Sequence, residues 1–314
     1  MKVTEHLAAA TEPLISFEII PPKRGGDLAS LLRLIEGLAV HRPPFIDITS
    51  HAAETISVET PGGPRRSAMR KRPGTLGICA LIQNKLDIDA VPHVLCDGFN
   101  REETEDFLIE LHYLGIDNVF AVRGDSPGSR KVLPAGRTRN EYASDLIGQI
   151  DAMNHGRFLE DLIDASPTDF CIGAAGYPEK HAEAPSLEAD VARARQKVDA
   201  GAGYIVTQMF FDNQRYFAFV EECRRQGIDV PIIPGLKVLT DARQLTSLPR
   251  RFGCAIPEAL AHEVAAAPNR ARDIGAAWSV EQVRELVRTG SQAVHFFVMQ
   301  NARAVDAVLA HLDR

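Results

Sequence analysis

No run of eighteen apolar residues occurs in the 314-residue chain, so nothing in it reads as a transmembrane helix. A secretory leader is also missing, because Met1–Thr11 is short, mixed and polar. Cysteine is sparse: Cys79, Cys96, Cys171, Cys223 and Cys254 form no C-x-x-C pair. Their odd number and scatter argue against a disulfide framework or a zinc site. Buried, reduced thiols in a cytoplasmic protein are the expectation. Excess positive charge is lacking too, the net charge being −7. The densest basic run, Arg65-Arg66 to Arg70-Lys71-Arg72, has no interleaved aromatics. It reads as a solvated loop, with a phosphate grip as the alternative, and neither nucleic acid nor membrane is expected as a partner.

Several chemical signatures are absent as well. No G-x-G-x-x-G follows a strand, and neither a G-x-S-x-G elbow nor a Walker A loop occurs. The histidines show no H-x-H or H-E-x-x-H spacing, so a metal would need ligands gathered from separate strands; none is expected.

What remains is an ordinary globular composition, 45% hydrophobic and 25% charged, long enough for two average domains or one large barrel. Apolar β-type runs fall at Leu14–Ile20, Phe45–Ser50, Ala90–Cys96, Asn118–Arg123, Phe170–Ala175, Tyr204–Met209, Val230–Leu236 and Ala293–Val298. Helical patterns alternate with them. Leu28, Leu31, Leu32 and Ile35 form one apolar stripe, and Tyr216, Phe219, Val220 and Cys223 another, stopped by Gly227. Asn100 and Glu103 have capping-box spacing, and that helix ends before Gly115. Eight strand–helix units without a linker predict an α/β fold, a (β/α)₈ TIM barrel spanning 1–314 as one catalytic domain. The Ala-rich Pro257–Ile274 stretch predicts extra helices before the last strand, and the long Thr49–Gly74 connection is expected to cover the top face.

Barrels of this kind build their sites at the C-terminal ends of the strands. Those ends carry Glu18, Thr49 with His51, His93, Arg123-Gly124-Asp125, Tyr177 with Glu179 and His181, Gln208, Lys237 and His295. Strand ends are also simply where chains turn polar, but eight in register suggest a polar pocket. Asp190, Arg193 and Lys197 share one helical stripe, readable as a solvated face or as a grip on a phosphate or ribityl chain. Glu18 poses the sharpest question. A lone carboxylate in "SFEIIPPK" is costly on a buried strand unless it is paired, neutralised or used.

Taken in order, "SFEIIPPK" (16–23), "DAVPHVLC" (89–96), "NVFAVRGD" (118–125), "YASDL" (142–146), "AAGYPEKHAEAP" (174–185), "KVDAGAGYIVTQMFFD" (197–212) and "IIPGL" (232–236) resemble the methylenetetrahydrofolate reductase family over nearly the whole chain. The resemblance implies FAD as cofactor and NADH or NADPH as electron donor. It implies flavin contacts at Thr49, Ser50, Ala52, His93, Arg123, Gly124, Asp125, Tyr142, Ala143, Ala175, Tyr177, His181, Asp190, Arg193, Gln196 and Lys197. Substrate contacts are implied at Thr49, Gln208, Gln244 and Asp125. The implied reaction reduces the methylene bridge of methylenetetrahydrofolate to a methyl group, ping-pong through the flavin. Glu18 is then the acid that protonates the bridging nitrogen, its apolar neighbours helping to keep it protonated. Asp125 is implied to face both flavin and pterin.

The chain departs from the family at three places. The arginine that meets the folate tail is displaced to Arg303 in "HFFVMQNARAV", and Leu248 stands where some bacterial members carry an aromatic that stacks on the nicotinamide. The long His51–Gly74 loop suggests a different cover. A C-terminal S-adenosylmethionine-binding domain is not expected, and a homo-oligomer stays open. Two other readings remain: a Schiff-base aldolase using Lys237, and a non-catalytic flavin- or folate-binding subunit that works with a partner.

Overall fold

The computed structural model describes residues 1–52, 54–60, 63–69, 72–124, 133, 136–299 and 301–312, with 54–59 and 64–69 described by backbone alone. In chain order the elements are α1 (Val3–Ala9), β1 (Leu14–Ile19), α2 (Leu28–Ala39), β2 (Phe45–Ile48), β3 (Glu54–Thr60), β4 (Gly63–Met69), α3 (Thr75–Leu86), β5 (Asp89–Leu95), α4 (Arg101–Tyr113), β6 (Asn118–Val122) and α5 (Ala143–Asn154). There follow β7 (Cys171–Gly176), α6 (Leu187–Asp199), β8 (Tyr204–Thr207), α7 (Asn213–Arg225), β9 (Ile232–Ile233), β10 (Gly235–Leu236), α8 (Gln244–Phe252), α9 (Glu258–Ala266), α10 (Ala271–Arg288), β11 (Ala293–Met299) and α11 (Arg303–Leu312).

The main sheet runs β10-β11-β1-β2-β5-β6-β7-β8-β9, and every pairing in it is parallel. β9 pairs with β8 and β10 with β11, so these two short pieces are one strand that joins both ends of the sheet. The expected seventh strand, Val230–Leu236, is therefore split at Pro234. Proline has no N–H for the ladder, but its carbonyl still accepts from His295 N at 2.9 Å. Closure gives the (β/α)₈ barrel that the periodicity predicts.

Alternation along the strands sorts the side chains. Phe17, Ile19, Ile46, Ile48, Val294 and Phe296 face outward into the main core beneath the helices. Phe45, Val91, Phe120, Cys171, Tyr204 and Val206 fill the barrel interior. Gly173 belongs to that interior because a Cβ there would lie 2.4 Å from the Tyr204 ring. The helix starts are set by local chemistry. Asp27 accepts from Ala29 N and Ser30 N at the start of α2, and Asn100 and Glu103 form the reciprocal capping box of α4.

Two elements go beyond the sequence reading. The N-terminal segment folds as α1, and its Val3 and Leu7 enter the interior cluster as a plug. The second βα connection carries an antiparallel hairpin, β3–β4. The extra helices before the last strand are present as α8, α9 and α10, and all five cysteines are buried and unpaired. No described helix is long and apolar enough to cross a membrane.

Candidate active site

Because Ser16 and Glu18 alternate with outward Phe17 and Ile19, Glu18 is forced inward near the C-terminal end of β1. Its side chain is 13% exposed. Strand register places Asp47 of β2 beside it. His93 of β5 completes the group, its Nε2 standing 3.5 Å from Glu18 Oε2 and 3.7 Å from Asp47 Oδ2. Asp47 is 1% exposed, and burial raises its carboxyl well above the usual range. Across the barrel, Lys237 donates from Nζ to the Phe297 carbonyl at 2.9 Å. Burial lowers its ammonium to about 8, opposed by the charge of Glu18. His295 shares a 2.9 Å hydrogen bond with Ser16 Oγ, and burial, aided by His93, lowers it to about 3.

A second group of polar residues surrounds the ends of β6 and β7. Lys197 of α6 donates to the Ala175 carbonyl at 2.8 Å and lies 5.7 Å from the centre of the Tyr177 ring. Desolvation lowers its ammonium to about 8, against the pull of Asp190. Burial raises the Asp190 carboxyl, while the His181 backbone N–H, 3.0 Å away, holds it down. Tyr177 and His181 meet edge to face at 4.9 Å. Asp190 and Lys197 thus point into the fold, whereas Arg193 and Gln196 of the same helix are exposed. Arg123 is held by Glu183 in a two-pronged pair at 2.8 and 2.7 Å. Gly124 has φ 108°, and a Cβ there would come within 3.0 Å of Asp97.

Ser50 bonds Thr75 Oγ1, and Thr75 bonds the Thr49 carbonyl, which leaves Thr49 Oγ1 buried with no hydrogen-bond partner among the described residues. Ala52 lies in the following loop, half-buried. Tyr142, more than half exposed, precedes Ala143 at the start of α5. Asp125 lies outside the described residues. The donors Arg123, His181 and Lys197 and the unsatisfied Thr49 hydroxyl suit a flavin, whose phosphate and ring edge call for charged and hydrogen-bonding partners.

A cavity of about 410 Å³ lies instead between α4 and α5, lined by Arg101, Glu105 and Gln149, away from these strand ends. The cavity beside Lys237, about 460 Å³, lies at the barrel mouth and is lined by Gln244, Leu248, Arg251, Phe297 and Arg272 among others. Gln244 is the N-terminal residue of α8, and its Oε1 accepts from Thr240 N at 2.7 Å. Gln208 follows β8, its Oε1 turned back to Met209 N at 2.9 Å. Arg303 begins α11 and is exposed; Asn301, not Arg303, lines the cavity.

Sequence reasoning did not single out Asp47, Arg251 or Arg272. The alternation in "FIDI" was the available signal for Asp47, since it places a carboxylate on the inward face. The arginines gave no local signal. No group of three metal-ligating side chains occurs among the described residues.

The sequence profile described as methylenetetrahydrofolate reductase matches residues 2–313. The chain is 29% identical over 301 residues to methylenetetrahydrofolate reductase 1 of Schizosaccharomyces pombe, an alignment covering 95% of this chain and 45% of that protein. It therefore spans about half the length of that relative. It is 30% identical over 298 residues to 5,10-methylenetetrahydrofolate reductase of Salmonella typhimurium, covering 94% of this chain and 88% of that one. Among solved structures, a protein from Clostridium thermocellum described as binding two copies of 5-methyl-5,6,7,8-tetrahydrofolic acid superposes with a TM-score of 0.58 at 13% identity, covering 98% of this chain and 96% of that chain. That likeness supports the barrel fold. With the profile match running from end to end of the barrel, the chain belongs to the methylenetetrahydrofolate reductase family.

Proposed function

We propose that residues 1–314 form one catalytic barrel that reduces 5,10-methylenetetrahydrofolate to 5-methyltetrahydrofolate with NADH or NADPH, alternating the two substrates on a bound FAD. The observation that carries this reading is the placement of Glu18, an inward, largely buried carboxylate beside His93 at the barrel mouth. When bound, the flavin supplies hydride to the folate carbon. Glu18 gives its proton to the bridging nitrogen, the ring opens, and one solvent proton is consumed per turnover. Asp125 keeps its proposed place against flavin and pterin on the strength of the family resemblance.

The protein is expected to purify yellow and to release FAD on denaturation. Anaerobic NADH or NADPH should bleach it, and methylenetetrahydrofolate should restore the colour. Bleaching without recovery would contradict the folate reading; no flavin bands at all would contradict the cofactor.

Lys197 is proposed to exchange its contact with the Ala175 carbonyl for a phosphate or ribityl oxygen. Lys197→Ala should weaken FAD retention by about 1.5–3 kcal/mol, the usual range for a charge-assisted hydrogen bond. The pH dependence has a defined sign. Below about 8 the ammonium is charged and favours the anion; above it the charge is lost. Affinity of the flavin-free protein for FAD should therefore fall as pH rises through that value, and Lys197→Ala should flatten this slope. Isothermal titration at several pH values measures both.

The cavity beside Lys237 is proposed to take the folate, with Arg251 and Arg272 at its edge serving the carboxylate tail in place of the displaced Arg303. Alanine at either arginine should raise KM for the folate about tenfold, the low end for an exposed charged contact, with kcat little changed. An increase in KM for NADPH instead would assign the arginines to the nucleotide.

Lys237 favours a second reading, because its lowered ammonium is a feature of Schiff-base lysines. Its amine is already engaged by the Phe297 carbonyl. Borohydride trapping with a carbonyl substrate would support the aldolase.

A further inference from the structure

Asp47 is an expensive residue for its place. Interior positions of such barrels are ordinarily filled by branched apolar side chains, and the other interior position of the same strand is Phe45. Asp47 is 1% exposed, and its Oδ1 makes no hydrogen bond within the described residues. A carboxylate so placed is destabilising unless it holds a proton or serves a neighbour. Its neighbour is specific: the parallel register sets it beside Glu18, and His93 Nε2 stands within 3.7 Å of both carboxyl groups.

We propose that Asp47, His93 and Glu18 form a buried relay in which Asp47, acting through His93, is the positioning and proton-holding residue that recharges the acid Glu18. This rests on the reductase reading above and extends it from the acid to the source of its proton.

The remaining groups facing Asp47 leave it this role. Ser16 on β1 is engaged with His295, which is held neutral by its lowering to about 3. The Tyr204 phenol of β8 and the Cys79 thiol of α3 both feel the Asp47 charge, and burial pushes each well above its ordinary value. Neither gives up a proton near neutrality. Lys237 acts on Glu18 and is committed to the Phe297 carbonyl. The proposed relay thus consists of Asp47, His93 and Glu18, the three groups that the strand register brings together.

The step balances with a single solvent proton. Glu18 protonates the bridging nitrogen and becomes a carboxylate. His93, as the imidazolium, passes its Nε2 proton to Glu18, and the lone pair so freed on the neutral ring takes the proton of Asp47, which restores the imidazolium. Asp47, now ionised and buried, regains a proton from water when the mouth opens between substrates. A buried negative charge favours this last uptake strongly.

The test separates the half-reactions. Asp47→Asn keeps the shape but can neither store a proton nor become a carboxylate. In the wild type the Asp47 carboxylate that forms at high pH disfavours ionisation of Glu18, and without it Glu18 deprotonates earlier. The alkaline limb of the folate half-reaction should then move to lower pH, by roughly one unit for a pair coupled this closely. In the plateau kcat should fall with KM nearly constant. The NAD(P)H half-reaction, which needs no ring-opening proton, should keep the wild-type pH profile. An independent measurement is spectroscopic: with ¹³C-labelled aspartate, the wild-type infrared spectrum should show a protonated aspartic acid carbonyl at neutral pH that Asp47→Asn lacks. An unchanged alkaline limb, or no such band, would overturn the relay. Should Asp47→Asn fail to fold, Asp47→Ser takes its place in both measurements, because the Asp190 carboxyl is raised as well and only a band lost with the Asp47 side chain belongs to Asp47. If Glu18→Gln itself spares the folate half-reaction, the reductase reading has failed; if Glu18→Gln cripples it and Asp47→Asn does nothing, only the relay is wrong.

Discussion

Replacing Glu18 with glutamine should slow the folate half-reaction by about 10²–10⁴-fold, the usual contribution of general acid catalysis. Glutamine keeps the size of the side chain and much of its hydrogen bonding, so the contact with His93 is altered less than the acidity. The folate half needs a proton on the bridging nitrogen as the ring opens; the nicotinamide half needs only hydride transfer. Flavin bleaching by NADH or NADPH should therefore change far less. Stopped-flow absorbance resolves the two halves. Equal slowing of both would mean that Glu18 holds the flavin or the fold. No slowing of either would remove the acid from Glu18 altogether.

The largest effect on stability is expected at the closed end of the barrel. Leu7 of α1 is 2% exposed and belongs to the interior cluster with Phe45, Val91 and Phe120. Leu7→Ala should lose about 2–5 kcal/mol, the range for emptying a well-packed core site. Denaturant unfolding monitors it. The folate and nicotinamide half-reactions should survive in the fraction that stays folded, because the plug lies at the opposite end from Glu18. A change below about 1 kcal/mol would show that α1 is peripheral, at the level of an ordinary surface substitution.

The same two positions show how far a sequence can be read. Glu18 was legible because everything needed to notice it is local: an apolar alternating run, one carboxylate, then Pro21-Pro22 and Gly25-Gly26. Leu7 was not, since α1 has only 7 residues and is stabilised by what it plugs. The β3–β4 hairpin escaped for a related reason. Its first strand, "ETISVET", alternates like a strand, but the second, "GPRRSAM", carries Gly, Pro and Arg and reads as a loop, and the two pair with each other outside the main sheet. Strand seven was placed correctly but read as continuous; the break at Pro234 is a matter of which strand lies on each side.

In the site, the stripe Asp190, Arg193 and Lys197 was visible as helical spacing, and spacing could not say which members face inward. Tertiary contacts decided that: Ala175 and Tyr177 draw Lys197 in, the His181 N–H holds Asp190, and Arg193 is left exposed. Alternation and capping act within a few residues, so the order of strands and helices, the inward face of β1 and the start of α4 were determined by the sequence alone. The neighbours of Glu18 were not. Asp47 and His93 reach it only because parallel pairing sets β1, β2 and β5 side by side, with register fixing the pair Glu18 and Asp47. The cost of burying a carboxylate, and hence whether it holds a proton, depends on that assembled environment, which exists only once the chain has folded around it.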